Sequence, residues 1–175
     1  MTKLEAGQLH WENISFDLGA LVADIVQEMA HTSEQHQIRI EGAIGAQVCG
    51  DPERIGQVLT NLLSNAIKYS PQAEEVLVSL AADADAATVG VQDFGIGIAA
   101  SKQQRLFERF FRVNDLSHAM FPGLGLGLYI CAEIVKGHGG RMWVESREGV
   151  GSTFFFTVPC APESEAGTRG EAARE

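Results

Sequence analysis

Apolar positions recur along this chain in two periods, and the places where the period changes mark out its elements. Leu18, Leu21, Val22, Ile25, Val26 and Met29 form a helical stripe that predicts a helix over 18–36, opened by Asp17 as its N-cap. Ile55, Val58, Leu59, Leu62, Leu63 and Ala66 do the same over 52–69, where Asp51 with Pro52 just inside starts the helix and "SPQAEE" ends it. A further helix is predicted in "LGLYICAEIVKGH", stopped by Gly139 and Gly140, and a short one in "SKQQRLFERFF" over 101–111. Between them lie segments of strand character: "NISFDL", "QIRIEG", "AQVCG", "EVLVSLAA", "ATVGVQDFG" and a closing hairpin "RMWVESREGVGSTFFFTVP". Helices and strands interleave, which predicts an α/β sandwich with helices on one face of a mixed sheet.

Composition narrows what such a sandwich does. At 175 residues, with 45% hydrophobic and 21% charged positions, the chain suits one folded unit with a single core. A formal net charge of -10 excludes a broad basic face for nucleic acid or anionic lipid, so any polyanion must be held locally. Cys49, Cys131 and Cys160 are scattered and suggest neither a zinc site nor a disulfide framework, which fits the reduced thiols of a cytoplasmic protein. No apolar run approaches the ~18 residues of a membrane span, and the N-terminus lacks the apolar stretch of a signal peptide. The opening "TKLEAGQLHW" reads as the end of a helix begun earlier, as in a fragment, and the polar tail 161–175 is expected to be disordered.

Three segments carry candidate chemistry. On the 52–69 helix, Arg54, Gln57, Asn61, Asn65 and Lys68 share the stripe opposite the apolar one. Asn costs a helix interior up to roughly 0.7 kcal/mol relative to Ala, so two of them one turn apart suggest that their amides are used. An amide offers a carbonyl oxygen to a hard cation and N–H groups to phosphate, and Lys68 adds a positive charge at the same end. In "ATVGVQDFGIGI" the period of two puts Asp93 on the side of Val89 and Val91, so its carboxylate is expected between sheet and helices. A carboxylate there accepts hydrogen bonds without donating them, which favours the amino group of adenine over the carbonyl of guanine. In "PGLGLGLYICAEIV", Gly123, Gly125 and Gly127 run into an apolar helix, where backbone N–H groups suit phosphate. The spacing matches neither the P-loop nor the dinucleotide fingerprint.

Taken in order, "QVLTNLLSNAIKYS", "VQDFGIGI", "LFERFFRV", "GLGLGLYI" and "GSTFFFTVP" resemble the N, G1, F, G2 and G3 boxes of the catalytic ATP-binding domain of sensor histidine kinases, members of the GHKL group. The resemblance runs from about residue 14 to 159. It implies an α+β fold, a two-layer sandwich whose mixed, mostly antiparallel sheet is covered on one face by about three helices. It implies Mg2+ on Asn65, with Asn61 organising metal or phosphate, Lys68 and Arg112 on phosphates, Tyr69 against the nucleotide and Asp93 on the adenine amino group. Gly95 and Gly97 would shape the adenine pocket, Gly123, Gly125 and Gly127 would wrap the phosphates, and Leu124, Leu126 and Thr153 would complete the ATP contacts. Residues 1–13 resemble the end of a dimerisation-domain helix or linker, 14–160 the catalytic domain, and about 107–123 an ATP lid anchored by Phe107, Phe110 and Phe111.

Two departures from the family pattern stand out. Position 124 is Leu where many relatives carry a small hydroxyl residue, and none of His10, His31, His36, His118 and His138 sits in a phosphoacceptor motif. The acceptor histidine is therefore expected on a separate dimerisation domain of the same kinase, with a response regulator as the next partner and no nucleic acid or direct membrane contact. The same fold also serves ATP hydrolases of the gyrase, mismatch-repair and heat-shock chaperone type, a serine kinase, or a non-catalytic signalling module. The hydrolases carry Glu at the position of Asn61 as a general base, a role Asn does not fill.

Overall fold

The structure, a computed structural model, describes residues 11–32, 35–43, 45–111 and 125–162. Its elements run β1 (Ile14–Asp17), α1 (Leu18–Ala30), β2 (Gln37–Glu41), β3 (Gln47–Gly50), α2 (Pro52–Tyr69), β4 (Glu75–Ala82), β5 (Ala86–Asp93), α3 (Ala100–Gln103), α4 (Gly127–Gly137), β6 (Met142–Arg147) and β7 (Gly151–Pro159). Five strands form one sheet in the order β2-β4-β5-β7-β6, while β1 and β3 pair separately. Only β2 against β4 is parallel, so the main sheet is mixed and mostly antiparallel, as expected.

Local chemistry explains the starts and turns. The Asp17 carboxylate accepts the Ala20 N–H at 2.9 Å, and Asp51 accepts those of Glu53 and Arg54 at 3.1 and 3.2 Å. Each such cap stabilises its helix by about 1 kcal/mol relative to Ala. Between β4 and β5, Asp83 takes the N–H groups of Asp85 and Ala86, both at 2.9 Å, and these two donors hold its pKa below the ordinary carboxylate value.

Strand alternation then builds the core. Val76, Val78 and Leu80 of β4, Val89 and Val91 of β5, and Phe154, Phe156 and Val158 of β7 are buried on the helix side. They meet Leu18, Val22 and Val26 of α1, the whole apolar stripe of α2, and Cys131, Ile134 and Val135 of α4. Register aligns these residues in cross-strand rows: Leu80, Val89, Phe156 and Met142 in one, Val78, Val91, Phe154 and Val144 in the next. The row after that is polar: Asp93, Ser152 and Ser146.

Two expectations change. Helix α1 ends at Ala30, with His31 as its C-cap, well short of residue 36. The helix expected over 101–111 shrinks to α3, and from Gln104 the chain continues in turns with bonds such as Glu108 N–H to Arg105 O at 3.0 Å. Phe110 has φ of 62°, a left-handed conformation that no α-helix accommodates. At the N-terminal edge of the described residues the Trp11 ring stands edge-on to His138 with centroids 5.0 Å apart. At the other end, Ala161 still donates to Gln47 O at 2.8 Å. Most of the expected N-terminal linker, lid and tail lies outside the described residues.

Candidate functional site

The polar stripe of α2 faces away from the core, and its two asparagines are half-buried and joined: Asn65 Nδ2 donates to Asn61 Oδ1 at 3.2 Å. That bond commits one N–H of Asn65 and the carbonyl of Asn61. It leaves the carbonyl oxygen of Asn65 and the amide hydrogens of Asn61 to other partners. One turn on from Asn65, Lys68 Nζ lies 5.1 Å from the centroid of the Tyr69 ring. Asn61 and Tyr69 stand about 12 Å apart along the helix axis, at roughly 1.5 Å per residue.

Each end of this stripe is met by one of the other two segments. A Cβ on Gly95 would fall 2.0 Å from the Tyr69 carbonyl oxygen, and Ile96 N–H bonds that same oxygen at 3.4 Å. The loop after β5 is thus pressed against the end of α2, and only glycine fits at 95. At the other end, a Cβ on Gly127 would lie 2.8 Å from Asn61 Nδ2. Gly127 begins α4, whose N-cap Leu126 makes no side-chain capping bond, so among the described residues no cap side chain takes the first N–H groups of that helix.

Asp93 lies at the end of β5, 5% exposed, with Oδ1 accepting the Gly95 N–H at 2.9 Å. Burial raises its pKa, and the N–H groups of Gly95 and Ser152 oppose the rise. Gly97, at φ of 64°, turns the loop over the Arg147 carbonyl, and Gly149 N–H holds the Ile96 carbonyl at 2.7 Å. Gly125 has φ of 69°, and its carbonyl accepts the Phe110 N–H at 3.1 Å, which sets Phe110 beside the start of α4. Arg109 lies 4.7 Å over the Tyr129 ring and Arg105 4.5 Å over Phe111, adding contacts at the same junction.

Asn61, Asn65, Lys68, Tyr69, Asp93, Gly95, Gly97, Gly125, Leu126 and Gly127 therefore gather along α2, the loop after β5 and the start of α4. Arg112, Gly123 and Leu124 lie outside the described residues. Thr153 is not brought in: it pairs with Gln92 and Glu145, so strand alternation turns it to the opposite face of the sheet from Asp93. Its neighbour Ser152 stands beside Asp93 instead. Phe110 is 69% exposed and does not pack on the described core, whereas Leu106 is buried and Phe107 and Phe111 pack on the core. The described histidines make local structure: His36 Nε2 meets Ser70 O at 2.9 Å, and His138 accepts the Asp51 N–H at 3.0 Å.

Chemically the arrangement joins a buried carboxylate acceptor, a pair of amides with a lysine, and an uncapped helix start. Among the described residues no three acidic, histidine or cysteine side chains gather, so a cation here would draw on amide oxygen, phosphate and water.

Residues 50–162 match the family described as histidine kinase-, DNA gyrase B-, and HSP90-like ATPase. Over 145 residues the chain is 39% identical to sensor histidine kinase WalK of Bacillus subtilis, covering 81% of this chain and 24% of WalK. It is 36% identical over 152 residues to the sensor-like histidine kinase SenX3 of Mycolicibacterium smegmatis, covering 86% and 40%. Among solved structures, the mycobacterial sensor histidine kinase MprB superposes with a TM-score of 0.74 at 28% identity, covering 86% of this chain and 99% of that one. Full-length ShkA in complex with AMPPNP superposes at 0.76 with 27% identity, covering 90% and 33%. The chain spans about a quarter to two-fifths of the length of these curated relatives.

Proposed function

The chain belongs to the histidine kinase-, DNA gyrase B-, and HSP90-like ATPase family, and from that premise we propose that it is the ATP-binding catalytic domain of a two-component sensor histidine kinase. The observation that carries this is the convergence on α2: the loop after Asp93 rests on the Tyr69 carbonyl at one end, and Gly127 rests on Asn61 at the other. In this reading Asp93 accepts the adenine amino group, Tyr69 lies against the nucleotide, and Lys68 and the first N–H groups of α4 hold the phosphates. Arg112 and the Gly123 to Gly127 segment act on the terminal phosphate. Asn65 offers its amide oxygen to Mg2+, and the Asn65–Asn61 bond orients that oxygen; the cation, when bound, neutralises charge on the phosphates.

The γ-phosphate goes to an imidazole on a separate dimerisation domain, and then to an aspartate of a response regulator, all in the cytoplasm. Positioning and charge neutralisation are what this transfer chiefly asks of the protein. Asn61 has no basic atom to take a proton from water, which favours transfer to a protein acceptor over fast hydrolysis by this fold.

Calorimetric titration with ATP, GTP and ATP without magnesium tests the site. Micromolar, magnesium-strengthened binding of ATP with little binding of GTP is expected; equal binding of both nucleotides would overturn the adenine assignment. Incubation with radiolabelled ATP and the kinase's dimerisation domain should yield acid-labile phosphohistidine on that domain, with little free phosphate. Rapid phosphate release by the isolated chain would instead favour the hydrolase reading.

A further inference from the structure

Resting on the nucleotide reading above, we propose that Ser146, seconded by Gln103, is the positioning residue of the adenine end of the site. The polar cross-strand row of Asp93, Ser152 and Ser146 runs from β5 through β7 to β6. Ser152 stands directly opposite Asp93 in the register of β5 with β7. Its hydroxyl lies 2.9 Å from Ser146 Oγ. Ser146 Oγ also donates to the Gly151 carbonyl at 2.9 Å and accepts the Ile98 N–H at 2.8 Å.

A serine hydroxyl has one hydrogen and two lone pairs, so the accounting closes in one way. The hydrogen goes to Gly151 O, and the lone pairs take Ile98 N–H and the hydroxyl hydrogen of Ser152. Ser146 is thus fully engaged inside the protein and has no capacity left for a ligand. Its bonds link the strand next to Asp93 with the far end of the loop that follows Asp93.

Gln103 completes the clamp from α3, its Nε2 donating to Ile98 O and to Ser146 O, both at 2.9 Å. The loop from Phe94 to Ile98 is therefore held at one end by Tyr69, where Gly95 has no room for a side chain, and at the other by Gln103 of the adjoining helix and Ser146 of the distant strand β6. Neither residue lies in the stretches that resemble nucleotide-binding boxes. Gln103 directly precedes the turns from Gln104 to Phe110, so the same clamp joins the adenine loop to the root of the segment carrying Arg112.

The test compares Ser146→Ala, Gln103→Leu and Ser146→Thr with the unaltered chain in titrations with Mg-ATP, AMP and magnesium tripolyphosphate. If the clamp positions the base, Ser146→Ala should weaken ATP and AMP by the same factor, about three- to tenfold for lost hydrogen bonds at one hydroxyl. Tripolyphosphate binding should not change, and Ser146→Thr, which keeps the hydroxyl, should restore ATP. Gln103→Leu should weaken ATP and AMP in the same proportion, and it serves as the test should Ser146→Ala not fold. Unchanged ATP binding in both variants, or equal loss on tripolyphosphate, would overturn the positioning role while leaving the nucleotide site standing. An unaltered chain that binds no ATP would remove both.

Discussion

Replacing Asp93 with Asn changes one oxygen to an amide nitrogen in a side chain that is 5% exposed. The remaining oxygen can still accept the N–H of Gly95, so the backbone around it keeps that bond. What changes is the other half of the group. A carboxylate oxygen that accepted the adenine amino group becomes an NH2 that faces it donor to donor. A hydrogen bond to a charged group contributes about 1.5–3 kcal/mol, which corresponds to an affinity loss of about 10- to 150-fold. Calorimetry with Mg-ATP measures this directly, and an affinity within threefold of the unaltered protein would refute the adenine role.

The same substitution has a second readout without nucleotide. Burial raises the Asp93 pKa from its ordinary 3.8, so the folded state holds this proton more tightly than the unfolded state. Its contribution to stability is present in full below the ordinary value. It is lost as pH rises through the raised folded value. The neutral Asn variant has no such loss. In nucleotide-free thermal melts it should be the more stable protein at neutral pH, with the advantage vanishing below about pH 4. A variant that melts lower than the unaltered chain at neutral pH would show that burial of the charge is not what governs this position.

Asn65→Ala removes the proposed cation oxygen and one half-buried side-chain hydrogen bond while leaving the apolar stripe of α2 intact, so the melt should shift little. Magnesium should then no longer strengthen ATP binding, and retained magnesium dependence would reject the role. Gly127→Ala inserts a methyl group 2.8 Å from Asn61 Nδ2, too close to be accommodated without moving that amide. Binding of Mg-ATP should weaken by more than tenfold with little effect on AMP, about 1.4 kcal/mol or more. Cys131 is buried in α4 and its thiol pKa is pushed up to about 12, so it should resist alkylation at pH 8 until the protein unfolds, in a mass-spectrometric time course.

Much of the architecture was legible because it follows from short-range rules. The 3.6-residue stripe of α2 and its Asp51–Pro52 start delimit the helix that is observed, Pro52–Tyr69. Period-two alternation put Asp93 on the buried face of β5, where it is found. The failures have non-local causes. The 101–111 segment has helical composition, yet the left-handed backbone at Phe110 and the burial of Leu106 are set by what the segment packs against. Thr153 was expected at the site through its box, but facing depends on strand register, which no residue in that box reveals.

By itself, then, the sequence determined the elements, the polar stripe of Asn61, Asn65 and Lys68, and the burial of Asp93, because periodicity and capping act within a few residues of the chain. Only the tertiary structure decided which groups meet. The pairing of β5 with β7 and of β7 with β6 sets Ser152 and Ser146 in line with Asp93, and packing of α4 on α2 brings Gly127 onto Asn61. The meetings of Asp93 with Ser152 and of Asn61 with Gly127 join residues tens of positions apart, where register and close packing, rather than local preference, choose the neighbour.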